Sequence, residues 1–149
     1  MGSRSGDIDP FIPLFLIKEL QIPADEVYNI LNSQSGLKGI SGVSDFRDLL
    51  YLAGVKVPAY KPNLKRTKRK RELALLALKV YIYNIQRYVA SFSGLLGKVD
   101  AVIFSGGVGE HNKFIRQQIL SGVNFIKKPR VLIVKADEEL MIAKKIMEL

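Results

Sequence analysis

One glycine-rich stretch combines residue types that bind an anionic group. Ala101–Phe104 is a short apolar run that favours a β-strand, and Lys113–Leu120 has a helical pattern. Between them lie Gly106, Gly107 and Gly109, which allow close approach of the backbone and positive φ angles. A strand, a glycine turn and a helix together direct backbone N–H groups at a phosphate. The stretch therefore predicts a phosphate-binding turn, with a plain strand-to-helix connection as the alternative.

The rest of the sequence excludes several kinds of binding and catalytic site. No Gly-Lys-Ser/Thr closes the stretch, so it is not a P-loop, and Asn112 stands where a dinucleotide fingerprint needs its third glycine. The chain has one histidine and no cysteine, which excludes disulfides, thiolate zinc sites and cysteine nucleophiles. A phosphate loop, an early arginine and several carboxylates remain, and that set suits phosphoryl transfer.

Four blocks of the sequence resemble acetate kinases. Phe104–His111 reads Phe-Ser-Gly-Gly-Val-Gly-Glu-His, which is similar to the family's Phe-Thr-Gly-Gly-Ile-Gly-Glu-Asn. Met1–Pro10 is similar to the family's Met-Gly-Thr-Arg-Ser-Gly-Asp-Ile-Asp-Pro. Gly36–Asp48 and Asp137–Ala143 match two further blocks. The blocks follow the family order and span the chain.

The resemblance implies a fold and a reaction. The fold would be α/β, an incomplete C-terminal lobe (residues 1–149) of an actin-like, ribonuclease H-like ATPase of the acetate and sugar kinase superfamily. The reaction would transfer phosphate between ATP and acetate with Mg²⁺, giving ADP and acetyl phosphate, in a cytoplasmic homodimer. A propionate kinase and a catalytically dead nucleotide-binding or interaction module are the alternatives.

The resemblance covers only the C-terminal part of an acetate kinase. The family's N-terminal metal ligand, substrate arginine, catalytic aspartate and second phosphate loop have no counterpart here. We therefore expect the lone chain to be inactive and to need a missing N-terminal lobe. A gene fragment, a misplaced start and one half of a split enzyme are all compatible with this sequence.

Arg4 is the candidate catalytic residue. It lies in a Gly/Ser-rich loop, where a guanidinium can present its planar fork to phosphate or carboxylate. Without the resemblance, an exposed terminal arginine is the simpler interpretation. The resemblance implies that Arg4 stabilises the transition state.

Two segments are candidates for the nucleotide. Asp45, Phe46 and Arg47 could be a helix cap, a core aromatic and a surface charge, whereas the resemblance places them at the adenosine end of ATP. The resemblance also implies that Gly107, Val108, Gly109, Glu110 and His111 hold the nucleotide. His111 replaces the family's asparagine, and a neutral imidazole donates a single hydrogen bond. A histidine with no function is the alternative.

Glu138 is the candidate metal ligand. It lies with Glu139 in the first turn of the last predicted helix, where acidic residues suit the helix dipole and Asp137 would cap the helix. That structural interpretation needs no metal. The resemblance assigns Mg²⁺ binding to Glu138 alone, and Mg²⁺ held by few carboxylates and ATP phosphates is chemically sensible.

Periodicity predicts the elements that position these residues. We expect helices over Phe11–Leu20, from Pro23 onward, from about Thr67 to Leu96 and over Asp137–Met147. A helical turn is expected over Asp45–Leu52, and loops over Ser33–Gly42 and Ala53–Asn63. The long helix has an apolar stripe, interpreted as core packing, at Leu75, Leu78, Ile82, Ile85, Val89, Phe92 and Leu96, and Gly94 and Gly97 end it. Val131–Val134 is a second strand, so the C-terminal half forms a βαβα unit with a parallel pair.

Composition is that of one globular domain. The chain has 149 residues, of which 48% are hydrophobic, and no apolar run is long enough to span a membrane. The absence of a secretory signal and of cysteine favours the cytoplasm. Much of the net charge of +9 lies in Lys65–Arg71. That run has no interleaved aromatic residues, so a solvated helix start is favoured over nucleic-acid binding.

Overall fold

A computed structural model describes residues 1–148 and shows eight helices and two strands within that range. The helices are α1 (Phe11–Lys18), α2 (Ala24–Ser33), α3 (Gly36–Ser41), α4 (Phe46–Ala53), α5 (Lys68–Leu96), α6 (Gly106–His111), α7 (Lys113–Ser121) and α8 (Glu138–Met147). The strands are β1 (Ala101–Phe104) and β2 (Arg130–Ile133). Contacts divide the chain within α5, into a first unit from Met1 to Tyr81 and a second unit that begins at Ile82.

The first unit builds its core around α4. Leu49, Leu50 and Leu52 on α4 are buried, as are Ala74 and Leu78 near the start of α5. The helical turn predicted over Asp45–Leu52 is a full helix of eight residues, α4. Its end is set at Gly54, whose φ of +90° requires a residue without a Cβ. The first unit therefore consists of loops and helices around a leucine-rich core.

The predicted loop over Ser33–Gly42 is wrong, because α3 forms within it. The backbone N–H groups of Leu37 and Lys38 donate to the carbonyl oxygens of Met1 and Gly2, at 3.1 and 2.9 Å. Carbonyls from the chain start thereby satisfy N–H groups that the first turn of a helix leaves unpaired. Local composition, rich in serine and glycine, gives no sign of such a distant partner.

The long helix begins within one residue of its predicted start, but two details differ. Gly94 lies inside α5 rather than ending it, and Gly97, with φ +69°, follows the helix. The stripe is only partly core. Leu78 is 4% exposed, whereas Phe92 is 59% and Leu96 70% exposed. The last turns of α5 therefore present apolar side chains that the described chain leaves uncovered.

The second unit contains the predicted parallel pair. β1 and β2 pair in parallel, with Ala101 opposite Arg130 and Phe104 opposite Ile133. Its buried residues include Ile115 and Ile119 of α7, together with Val123 and Pro129. Every residue of β2 is exposed, and α8 buries none of its described side chains. Parallel sheets are normally covered on both faces, so this sheet has less cover than its type usually has.

Two other sequence expectations can be compared with the structure. The basic run Lys65–Arg71 is exposed throughout and leads into α5, as the solvated interpretation predicts. Across residues 1–148, no helix is both long enough and apolar enough to cross a bilayer.

Candidate functional site

The glycine-rich stretch is a short helix and not an open turn. Ser105 is extended and precedes α6, and Gly106 takes φ +73°, a value that favours glycine. A Cβ added at Gly107 would meet nothing within 4 Å, whereas one at Gly109 would touch Phe104 at 3.5 Å. The prediction of an open turn is therefore corrected: the chain bends at Gly106 and continues as the helix α6. The face at Gly107 remains open to a ligand.

Glu110 connects α6 to the segment before α8. Its Oε1 atom accepts hydrogen bonds from the backbone N–H groups of Gly106 and Ala136, both at 2.8 Å. Gly106 follows β1 and Ala136 follows β2, so one carboxylate oxygen joins the carboxyl ends of both parallel strands. In parallel α/β sheets, ligands bind at that edge.

Arg116 is a site residue that the sequence did not reveal. Its Nη1 atom donates to the carbonyl oxygens of Gly109 and Glu110, at 2.7 and 2.8 Å. These carbonyls belong to the last turn of α6, where a cation is favourable. Next to it, the Asn112 side chain caps α7 by accepting from the N–H of Ile115 at 3.0 Å. In the sequence, Arg116 looks like any surface arginine on an amphipathic helix.

Glu138 begins α8 and is exposed. Asp137 caps this helix as predicted, because its side chain accepts from the N–H of Leu140 at 3.0 Å. In the part of the chain that the structure describes, no three Asp, Glu or His side chains gather into a metal cluster. A single free carboxylate fits Mg²⁺ that takes most of its other ligands from phosphate and water. His111, the last residue of α6, is also exposed.

Asp45 is the helix cap that the sequence allows and Arg47 is exposed, whereas Phe46 is half-buried and not part of the buried core. Asp45 caps α4 by accepting from the N–H of Arg47 at 2.8 Å, and it pairs with the Arg47 guanidinium at 2.7 Å. The Arg47 guanidinium beside it lowers the pKa of Asp45 to about 2. The Phe46 ring lies 4.9 Å from that of Tyr81, and Arg47 stacks over Tyr60.

Arg4 is exposed, but the backbone around it is tied down on both sides. The carbonyl oxygen of Ser3 accepts from the N–H of Ser35, and the N–H of Ser5 donates to the carbonyl oxygen of Leu31, both at 2.8 Å. The Gly/Ser-rich loop that carries Arg4 is therefore held in place by backbone hydrogen bonds on both sides of this residue. Arg4 lines an open cleft of about 470 Å³, together with Asp7 and Tyr28 among others.

The structure assigns the candidate residues to the two units. The first unit contains Arg4 and the segment Asp45–Arg47, and the second contains Gly107–His111 and Glu138. Within the second unit, the Glu110 bridge brings the glycine helix beside the segment that leads to Glu138. No hydrogen bond, ion pair or ring contact between Arg4 and the Asp45–Arg47 segment is found among the described residues of the first unit.

Most of the chain matches a known protein family. The model of the acetokinase family matches residues 1–129. The acetate kinase of Clostridium novyi is 37% identical over 172 residues, covering all of this chain and 39% of that protein. The acetate kinase of Thermoanaerobacterium thermosaccharolyticum is 38% identical over 167 residues, covering 97% of this chain and 38% of that protein.

Solved structures give the same result. The Porphyromonas gingivalis acetate kinase aligns with a TM-score of 0.75 and 29% identity, covering 99% of this chain and 40% of that one. A Francisella tularensis propionate kinase aligns with a TM-score of 0.78 and 31% identity, covering 97% of this chain and 39% of that one. The chain therefore spans about two fifths of the length of the relatives that it matches.

Proposed function

The chain belongs to the acetokinase family, and from that premise we propose that it is the nucleotide-binding part of an Mg²⁺-dependent acyl kinase. Its fold is part of the α/β, actin-like ATPase fold of the acetate and propionate kinases. Residues 1–149 would form part of the C-terminal lobe of the whole enzyme. The whole enzyme would reversibly transfer the γ-phosphoryl group of ATP to acetate, giving ADP and acetyl phosphate.

One observation carries this proposal. The carboxyl ends of β1 and β2 lead to a glycine helix and to the acidic start of α8, and Glu110 holds these two segments together. A nucleotide phosphate at the open face of Gly107 would thus lie on the same sheet edge as a free carboxylate. Phosphoryl transfer needs that combination, because the metal is shared between protein carboxylates and phosphate oxygens.

The roles proposed for the candidate residues are those that the family's motifs imply. Gly107, Val108, Gly109 and His111 form the surface that approaches the phosphates. Glu138 would hold Mg²⁺, which neutralises charge on the phosphates when it is bound. Phe46 would offer apolar contact to the base, with Asp45 and Arg47 as polar neighbours. Arg4, exposed on a held loop, would place its guanidinium against the transferred phosphoryl group.

The complete reaction needs residues beyond this chain. The acyl acceptor, the metal and the γ-phosphate must be held in line, and this chain supplies one candidate metal ligand and one arginine. We therefore propose that activity requires the remaining part of an acetate kinase. The whole enzyme would act as a cytoplasmic homodimer.

Two alternatives have specific support. The Francisella tularensis propionate kinase aligns with a TM-score of 0.78, against 0.75 for the Porphyromonas gingivalis acetate kinase, so propionate is a candidate acceptor. The second alternative is a nucleotide-binding module without catalysis, because this chain supplies one candidate metal ligand and one arginine for the reaction. The preference of the active enzyme for acetate or propionate distinguishes an acetate kinase from a propionate kinase. Turnover in the presence of the remaining part of the enzyme distinguishes a kinase from a module without catalysis.

Substitution at Gly107 tests the nucleotide site. Since a Cβ there meets nothing within 4 Å, Gly107→Val should leave the fold intact but occupy the space of the phosphate. We expect Mg-ATP affinity to fall at least about tenfold, which corresponds to about 1.4 kcal/mol of binding free energy. Calorimetry on folded protein measures this.

Gly94→Val is the matched control for that experiment. Gly94 is also helical, and a Cβ added there also meets nothing within 4 Å. This variant should bind Mg-ATP like the wild type. Equal affinities for the wild type and Gly107→Val would contradict the proposed site.

A further inference from the structure

We propose that Glu110 is a positioning residue, whose carboxylate fixes the distance between the glycine helix α6 and the segment that carries Glu138. This inference rests on the proposed function, since it assigns Glu110 to the geometry of that site. It also changes the role implied by the resemblance, because Glu110 would act through the backbone and not as a direct nucleotide ligand. Arg116 secures the opposite end of α6.

The hydrogen bonds of Glu110 carry the first step. One oxygen, Oε1, accepts from the N–H groups of Gly106 and Ala136 at 2.8 Å each. Gly106 is four residues away and Ala136 is 26 residues away in the chain. The side chain therefore ties a local turn to a distant segment, and truncation leaves both N–H groups without that acceptor.

The weakness of α6 carries the second step. The helix has six residues, of which three are glycine, the poorest helix former after proline. A helix of this length does not form on its own. Side-chain hydrogen bonds must therefore hold it in position. Glu110 holds its start, and the Arg116 guanidinium holds the carbonyls of Gly109 and Glu110 at its end.

The place of Ala136 carries the third step. Ala136 lies two residues before Glu138, and Asp137 between them caps α8. Fixing the N–H of Ala136 to Glu110 thus fixes the start of α8 against Gly106. A metal shared between Glu138 and a phosphate at Gly107 requires that separation to be constant. The bridge should therefore control how strongly Mg²⁺ improves ATP binding.

Two variants separate positioning from direct binding. Glu110→Gln keeps an oxygen that can accept both hydrogen bonds but removes the charge, whereas Glu110→Ala removes the acceptor. A positioning role requires the oxygen, so Glu110→Gln should behave like the wild type. A direct contact with Mg²⁺ requires the charge, so both variants would then fail alike.

The first measurement is amide hydrogen exchange in the nucleotide-free chain. In Glu110→Ala, the amides of Gly106 and Ala136 should exchange at least about tenfold faster, while the amide of Ile115 in α7 keeps its rate. In Glu110→Gln, both amides should exchange more slowly than in Glu110→Ala, because the neutral amide oxygen still accepts both hydrogen bonds, though more weakly than a carboxylate. Acceleration of only one amide, or of neither, would overturn the bridge whether or not the chain binds ATP.

The second measurement is ATP affinity with Mg²⁺ and with EDTA. In the wild type and Glu110→Gln, Mg²⁺ should strengthen binding by the same factor, and in Glu110→Ala that factor should fall to near one. An equal loss in both variants would overturn the positioning role and favour direct coordination. Absence of ATP binding by the wild type would instead contradict the proposed function, and the exchange rates would still decide the bridge.

Discussion

Asp45 shows how much one side chain contributes at the start of a helix. It accepts from the N–H of Arg47, and it pairs with the guanidinium of the same residue. This pairing is the main cause of its lowered pKa, about 2. Because an unpaired aspartate titrates near pH 4, the folded chain binds this proton less readily than the unfolded chain.

A pH dependence of stability follows from that difference. The folded pKa of Asp45 is depressed, so its contribution is fully present above about pH 4 and is lost as the pH falls toward 2. Asp45→Asn keeps a capping oxygen but cannot titrate. The difference in free energy of unfolding between the wild type and this variant should therefore become smaller as the pH falls from 4 toward 2. Urea denaturation from pH 2.5 to 6 measures the gap. A gap independent of pH would contradict the assignment.

The cap itself is tested by Asp45→Ala. Removing the oxygen that accepts from the N–H of Arg47 should cost about 1 kcal/mol at neutral pH. Asp45→Asn is the matched control and should cost less, because asparagine is also a good N-cap. Equal losses for the two variants in urea denaturation would show that the charge, and not the cap, stabilises α4.

At the residue scale, the sequence predicts interactions that stay local. The caps of Asp45 and Asp137 were predicted, because each side chain bonds a backbone group two or three residues away. The bridge from Glu110 to Ala136 was not, since nothing near Glu110 identifies a partner 26 residues along the chain. The sequence does not identify Arg116 for a related reason: the atoms that accept its hydrogen bonds are backbone carbonyl oxygens, which every residue has.

At the element scale, Gln86 joins α5 to the end of α7. Its side-chain amide donates to the carbonyl oxygens of Gln118 and Ile119, at 2.8 and 3.3 Å. These carbonyls lie in the last turn of α7, where helices leave acceptors unpaired. A Cβ at Gly122 would overlap that amide. Gly122 therefore leaves room for the Gln86 side chain, whereas its own φ of −97° does not favour glycine.

Gly122→Ala tests this contact. The added methyl should displace the Gln86 side chain and lower the free energy of unfolding by about 1 kcal/mol, the size of a lost hydrogen bond. In a Gln86→Ala background, the same substitution should cost much less, because the clash is gone. Urea denaturation of the two single variants and the double variant gives the coupling. Additive costs would show that the two residues do not interact.

Elements were predicted best where periodicity is long and the packing is local. The apolar repeat located α5 to within one residue at its start, and the alternation of strand and helix gave the parallel pair. α3 and α6 were missed, because glycine and serine favour loops when partners are ignored. In the structure, carbonyls of Met1 and Gly2 support α3, and Glu110 and Arg116 support α6.

At the scale of the whole molecule, apolar exposure is the main feature. Large apolar side chains are exposed on the strands, on α8 and at the end of α5, among them Ile103, Ile133, Ile142 and Leu95. The chain spans about two fifths of the length of its relatives, and extensive apolar exposure of this kind normally marks an interface. We propose that the remaining part of the enzyme covers it.

Self-association of the lone chain is the expected consequence. The mass measured by light scattering should rise with concentration, and replacing both Leu95 and Leu96 by serine should reduce this rise without lowering stability, because both side chains are exposed. Leu49→Ser, at a fully buried position, is the contrasting control and should abolish cooperative unfolding. A monomer at all concentrations would contradict the interface.

The formation of acetyl phosphate, trapped as its hydroxamate, tests the central claim most directly. The chain alone, the N-terminal part of an acetate kinase alone and the two together are assayed with ATP, Mg²⁺ and acetate. We predict turnover only for the mixture, and loss of most of that rate in Arg4→Ala. Robust turnover by the chain alone would contradict the claim. So would a folded, associated mixture that forms no acetyl phosphate, which would favour a module without catalysis.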